Sequence, residues 1–202
     1  MDSRKVSIGI TGGIGSGKSY VSGLLRRHFD IPVYDCDKEA KRLTATSPEI
    51  RCGLVRLTGP EVFTGDELNR KYLADYLFAD PEHASKVNAI IHPAVLKDIR
   101  LWTERQQKPV VGIESAILYE SGFDQQVDYV LFVDAPEEVR LCRTVKRDNA
   151  SEEQIRARMK MQQPELHRSQ ADFCIENSTD DDTKLLTQLT EILNRLTNSC
   201  FR

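Results

Sequence analysis

The chain has 202 residues, of which 40% are hydrophobic and 29% charged, and its formal net charge is −3. That length holds one sizeable core, or one core with an insertion, and the mild acidity argues against general nucleic-acid binding. No apolar stretch approaches the ~20 residues of a membrane span, and no charged-then-apolar leader precedes the first strand. Cys36, Cys52, Cys142, Cys174 and Cys200 are scattered and form no C-x-x-C pair. Free thiols in a reducing cytoplasm are therefore expected, rather than a metal cage or a disulfide frame.

The first predicted element is a buried strand, Val6-Ser7-Ile8-Gly9-Ile10. A helical pattern at Val21, Leu24 and Leu25 follows it. Between them stands Gly12-Gly13-Ile14-Gly15-Ser16-Gly17-Lys18-Ser19. A glycine, four residues and then Gly-Lys-Ser, set between a strand and a helix, is the spacing of a phosphate-binding loop. Its glycines let backbone N–H groups turn inward, and the helix N-terminus adds partial positive charge. Lys18 is placed to reach β- and γ-phosphates, and Ser19 to hold Mg²⁺.

Four later segments read as strands: Ile31-Pro32-Val33-Tyr34, Pro109-Val110-Val111-Gly112-Ile113, Tyr129-Val130-Leu131-Phe132-Val133 and Phe173-Cys174-Ile175. Helical patterns separate them, so a parallel sheet with helices on both faces is expected, its functional residues just after the strands. About 75 residues lie between Tyr34 and Pro109, far more than one crossover helix needs. They read as a helical insertion, with helices over 38–43, 48–57, 69–78, 81–91 and 93–106. Pro81 and Pro93 are taken as first-turn residues. Gly59, Pro60 and Gly65 set off a short extended piece, Val62-Phe63.

From 137 to 170 the chain is polar and helical. Arg140, Arg143 and Arg147 share one face at i, i+3 and i+7. Arg156, Arg158, His167 and Arg168 follow. This pattern fits a lid closing over polyphosphate; a solvated helix face reads the same way. Leu185, Leu189, Ile192 and Leu196 then form the stripe of a final helix packed on the sheet.

Asp35 and Asp37 follow the second strand. In an extended chain both carboxylates face the same side. Asp37 is assigned as the base that takes a proton from an alcohol, with Asp35 supporting Mg²⁺; an Asp37 that only caps the next helix is the alternative. Glu114, after the third strand, is a second candidate for the magnesium side, and His92, at a helix junction beside Pro93, a candidate for shaping an acceptor pocket. No Asn-Lys-x-Asp appears, which removes the guanine-reading element of a GTPase, and there is no second nucleotide motif.

Along nearly its whole length the chain resembles the dephospho-coenzyme A kinase family. The resemblance rests on Ile10-Thr11-Gly12-Gly13-Ile14-Gly15-Ser16-Gly17-Lys18-Ser19, on Asp35-Cys36-Asp37 with Ala40, and on Ile90-Ile91-His92-Pro93. Arg143, Arg147-Asp148, Arg158, Gln162, Ala171-Asp172-Phe173, Ile175 and Asn177 extend it. It implies a P-loop kinase fold in one domain over 1–202, with core 1–36, 108–136 and 171–202, an acceptor-binding insertion 37–107 and a lid 137–170. It also implies phosphorylation of the ribose 3′-hydroxyl of dephospho-CoA by ATP with Mg²⁺, in a cytoplasmic monomer or weak homo-oligomer without nucleic-acid or membrane partners.

By that resemblance Gly13, Gly15, Ser16, Gly17, Lys18, Ser19 and Tyr20 hold ATP, and Asn177 lies near the adenine. Asp37, Lys18 and Arg143 are catalytic, while Asp35, Asp37, His92 and Arg158 bind the acceptor. Tyr20 replaces a usual Thr, Arg140 a usual Gln, and Ala116 a usual Pro; Asn177 lacks its usual following glycine. Another small-molecule phosphate-loop kinase is the alternative.

Overall fold

A strand of six buried residues, β1 (Val6–Thr11), opens the fold and leads through the glycine-rich loop into α1 (Lys18–Phe29) and β2 (Val33–Asp35). Next come α2 (Cys36–Thr46), α3 (Pro48–Thr58), a hairpin of β3 (Phe63–Thr64) and β4 (Glu67–Leu68), α4 (Arg70–Ala79) and α5 (Pro81–Arg105). The chain then runs through β5 (Val110–Glu114), β6 (Tyr129–Asp134), α6 (Glu137–Asp148), α7 (Glu152–Lys160), α8 (Pro164–Gln170), β7 (Phe173–Glu176) and α9 (Asp182–Cys200). The computed structural model describes residues 5–162, 164–179 and 181–200, with side chains to 196.

The five-stranded parallel sheet has the order β2-β5-β1-β6-β7. β1 lies between β5 and β6, in register Ile8↔Gly112 and Ile8↔Tyr129. The chain leaves β1 toward β2 on one side and later crosses from β5 to β6 on the other, so a crevice opens at the C-terminal end of β1, where the loop begins. The predicted second strand starts late, at Val33. Pro32 has no N–H to give a ladder, but its carbonyl accepts from the Gly112 N–H at 2.8 Å.

The chain divides into two compact units, Met1–Val33 with Gln107–Arg202, and Tyr34–Gln106. In the first, alternate β1 residues Val6, Ile8 and Ile10 join Leu131, Val133 and Ile175 in one core. Val21, Leu24 and Leu25 of α1 cover it, together with Leu185, Leu189, Ile192 and Leu196 of α9. A second, smaller cluster of Leu141, Ile155 and Met159 joins α6 to α7, with Ile14 of the loop packed against it. Arg156 binds the same pair of helices by donating to Glu137, Glu138 and Glu152 at 2.9–3.1 Å.

The second unit is helical apart from the β3–β4 hairpin, which turns at Gly65 (φ 61°). Ser47, Asn69 and Asp80 cap α3, α4 and α5 through their side chains, each cap worth about 1 kcal/mol. Ile50, Leu54, Val62, Phe63, Leu73 and Val87 form its core. One expectation fails here: Pro93 starts no helix but lies inside the 25-residue α5. An interior proline costs about 3 kcal/mol. Val87, Val95 and Ile99 are buried on one stripe of α5, at about 2 kcal/mol each, and that packing outweighs the break. His92 consequently stands mid-helix rather than at a junction.

Candidate active site

α1 begins at Lys18 with Gly17 as its cap (φ 92°) and no side-chain cap, so the positive end of its dipole faces the glycine-rich loop. Gly15 is also left-handed (φ 78°), and a Cβ at Gly17 would fall 2.1 Å from the Asn177 amide nitrogen. Both positions require glycine. The loop is internally tied by Ser16 N–H donating to Gly13 O at 3.1 Å. Lys18 Nζ folds back and donates to the carbonyls of Gly12 and Gly13 at 2.8 and 3.1 Å.

Asn177, buried just past β7, braces this loop. Its Nδ2 donates to Ser16 O at 2.8 Å, and its own N–H donates to Asp134 O at 2.8 Å. Arg143 Nη1 donates to the Asn177 carbonyl at 2.8 Å. The fold thus brings together the loop, Asn177 and Arg143, which are far apart in the chain.

Ser19 Oγ donates to Glu114 Oε1 at 2.6 Å, and Glu114 is 6% exposed. A hydroxyl and a buried carboxylate beside a phosphate loop form a hard oxygen pair. This donor set fits Mg²⁺, which takes few protein ligands and keeps waters.

Asp35 and Asp37 do not share an extended face. Helix α2 starts at Cys36, so Asp35 is its cap, accepting from Lys38 N–H at 3.0 Å. The capping role considered for Asp37 belongs to Asp35, because the strand ends two residues earlier than an extended pair needs. Asp37 sits in the first turn of α2, exposed, and lines a cleft of about 1210 Å³ within the second unit. Lys41, Arg70, Leu73, Val87 and Ile91 also line it. His92 is not among the cleft residues; burial alone holds its imidazole pKa below the usual value. Arg158 and Arg147 both donate to Asp148, and the Arg147 hydrogen bond, more than any other contact, keeps that carboxyl below its ordinary range.

Residues 6–182 match the family model described as dephospho-CoA kinase. The chain belongs to the dephospho-CoA kinase family. It is 48% identical to a dephospho-CoA kinase of Bacteroides fragilis over 190 residues, covering 93% of this chain and 91% of the relative. Identity to one from Porphyromonas gingivalis is 43%, over 86% of each chain. A solved protein from Thermus thermophilus superposes with a TM-score of 0.82 at 36% identity, covering 96% of this chain and 98% of that one. Membership makes the protein a kinase of the last step in coenzyme A synthesis.

Against the family pattern, the departures now have places. Tyr20 sends its hydroxyl to Asp182 at the start of α9, away from the loop. Arg140, Arg143 and Arg147 share a helix face but not a role. Arg140 is buried, Arg143 half-buried against Asn177, and Arg147 exposed. Gln162, which carries no motif beyond the family resemblance, accepts at Oε1 from the Ile14 N–H at 2.8 Å and ties the end of α7 to the phosphate loop. No spacing rule relates residues 14 and 162, and only packing brings them together.

Proposed function

We propose that the protein transfers the γ-phosphoryl group of ATP to the ribose 3′-hydroxyl of dephospho-CoA, giving CoA and ADP. The observation that carries this is the Ser19–Glu114 pair beside a glycine-capped phosphate loop in a chain of this family. Backbone N–H groups from Gly15 to Tyr20 hold the phosphates, and Lys18 exchanges two loop carbonyls for phosphate oxygens. Ser19 and Glu114 would hold Mg²⁺, which neutralises charge on the β- and γ-phosphates when bound.

Asp37 accepts the proton of the 3′-hydroxyl as the O3′–phosphorus bond forms and the bond to the β–γ bridging oxygen breaks. Its exposed position in the cleft of the second unit supports this role. The cleft's mix of Lys41 and Arg70 with Leu73, Val87 and Ile91 suits an acceptor that carries both phosphates and an apolar arm. Arg143 offsets charge that develops during transfer. The test is ADP release in a coupled assay with dephospho-CoA, set against AMP, nucleosides and shikimate. Stimulation by dephospho-CoA alone is the expected result; none with dephospho-CoA would refute the acceptor.

A further inference from the structure

Arg140 is a buried cation with no carboxylate paired to it among the described residues. Its side chain lies between the phosphate loop and the loop after β6, and the residue is 9% exposed. Nε donates to Ala135 O at 3.0 Å, whereas Nη1 is buried and has no hydrogen-bond partner among the described residues. Four carboxylates line the wall of its cavity, Asp134, Glu137, Glu165 and Glu176, and none is paired with Arg140 among the described residues. Asp134 pairs with Arg168 at 2.8 Å and Glu137 with Arg156 at 2.9 Å.

The guanidinium is fitted to the loop itself. A Cβ on Gly13 would stand 2.4 Å from Nη1, so any other residue there would displace the guanidinium from its present place. A Cβ on Gly15 would stand 2.3 Å from the Arg140 carbonyl. Gln162, which holds the Ile14 N–H, has its Oε1 3.6 Å from the same Gly13 position. A buried charge left unpaired is costly and calls for an anion to compensate it. The loop against which it packs has the spacing of a phosphate-binding loop, whose ligand is polyphosphate.

We propose that Arg140 is a positioning residue for the nucleotide, its charge compensated only when the polyphosphate of ATP or ADP fills the loop. It acts through the Gly13–Ile14 segment and through its field, without touching the reacting atoms. The proposal rests on the reading that residues 12–19 bind ATP and is independent of the acceptor.

The experiment compares wild type with Arg140→Gln, Arg140→Met and Arg140→Lys by calorimetric titration of ATP, ADP and AMP and by melting temperature with and without nucleotide. In the Gln and Met variants, ATP binding is expected to weaken about tenfold, ADP binding less, and AMP binding hardly at all, following the phosphate charge. Their ligand-free melting temperatures stay equal or rise, because an uncompensated charge has gone. Lys restores part of the affinity. Turnover shows a raised KM for ATP with KM for dephospho-CoA unchanged. A ligand-free melting temperature that falls while ATP affinity holds would make Arg140 a scaffold residue and overturn the proposal, as would equal losses for ATP and AMP. An intact Arg140 contrast with no transfer to dephospho-CoA would overturn the acceptor alone.

Discussion

The phosphate loop and the cleft of the second unit are built from different materials. The loop is made of backbone: N–H groups of consecutive residues, two left-handed glycines and one lysine. The cleft is made of side chains from α2, α4, α5 and the β3–β4 hairpin, residues such as Lys41, Glu67, Arg70 and Ile91 that share no local pattern. A site made of backbone depends on a few adjacent letters, whereas one made of side chains depends on the packing of three helices and a hairpin. Damage should therefore differ. Changes in the loop act on binding and transfer, and changes beneath the cleft act on stability and acceptor binding together.

The largest expected effect tests Asp37 in the cleft. Asp37→Asn should lower kcat roughly 10³-fold while the Kd for ATP, from calorimetry, moves less than about twofold. Unchanged kcat would remove Asp37 as the base. In the loop, Lys18→Ala should lower kcat/KM for ATP by roughly 10²-fold with the circular dichroism spectrum intact; near-normal turnover would contradict its role.

Leu54 is fully buried in the core of the second unit, and Leu54→Ala should destabilise it by about 3 kcal/mol in urea unfolding. It should also raise KM for dephospho-CoA and leave Kd for ATP unchanged. Equal shifts in both would erase the contrast between the two regions. The smallest effect concerns pH. Burial lowers the His92 pKa, so as pH falls below 6.5 the unfolded chain takes up the proton first. Stability declines through that window and levels off beneath the folded pKa. His92→Gln should flatten the melting-temperature profile between about pH 7.5 and 5; an unaltered slope would assign the decline to other groups.

Much of the fold was legible in the chain. The apolar runs of β1, β5, β6 and β7 and the stripe of α9 lie where their patterns put them, because burial on a sheet leaves a periodic mark. The mistakes share one cause. Pro93 was read as a boundary from its local preference, yet Val95 and Ile99 have a core to bury against. Asp35 and Asp37 were read as an extended pair, yet a short strand gives way to a helix at Cys36, and the first aspartate caps it. The shared face of Arg140, Arg143 and Arg147 leaves their depths open, and the depth of each depends on what α6 packs against.

The amino-acid sequence by itself determined the phosphate loop, the alternation of strands and helices, and, through resemblance, the family. These depend on residues close in the chain, whose preferences act without help from the rest. Only the tertiary structure decided that Glu114 meets Ser19, that Asn177 and Arg143 brace the loop, that Gln162 holds Ile14, and that Arg140 is buried without a counter-charge. Those pairings join residues up to 161 positions apart, and sheet order and helix packing set them rather than any local propensity.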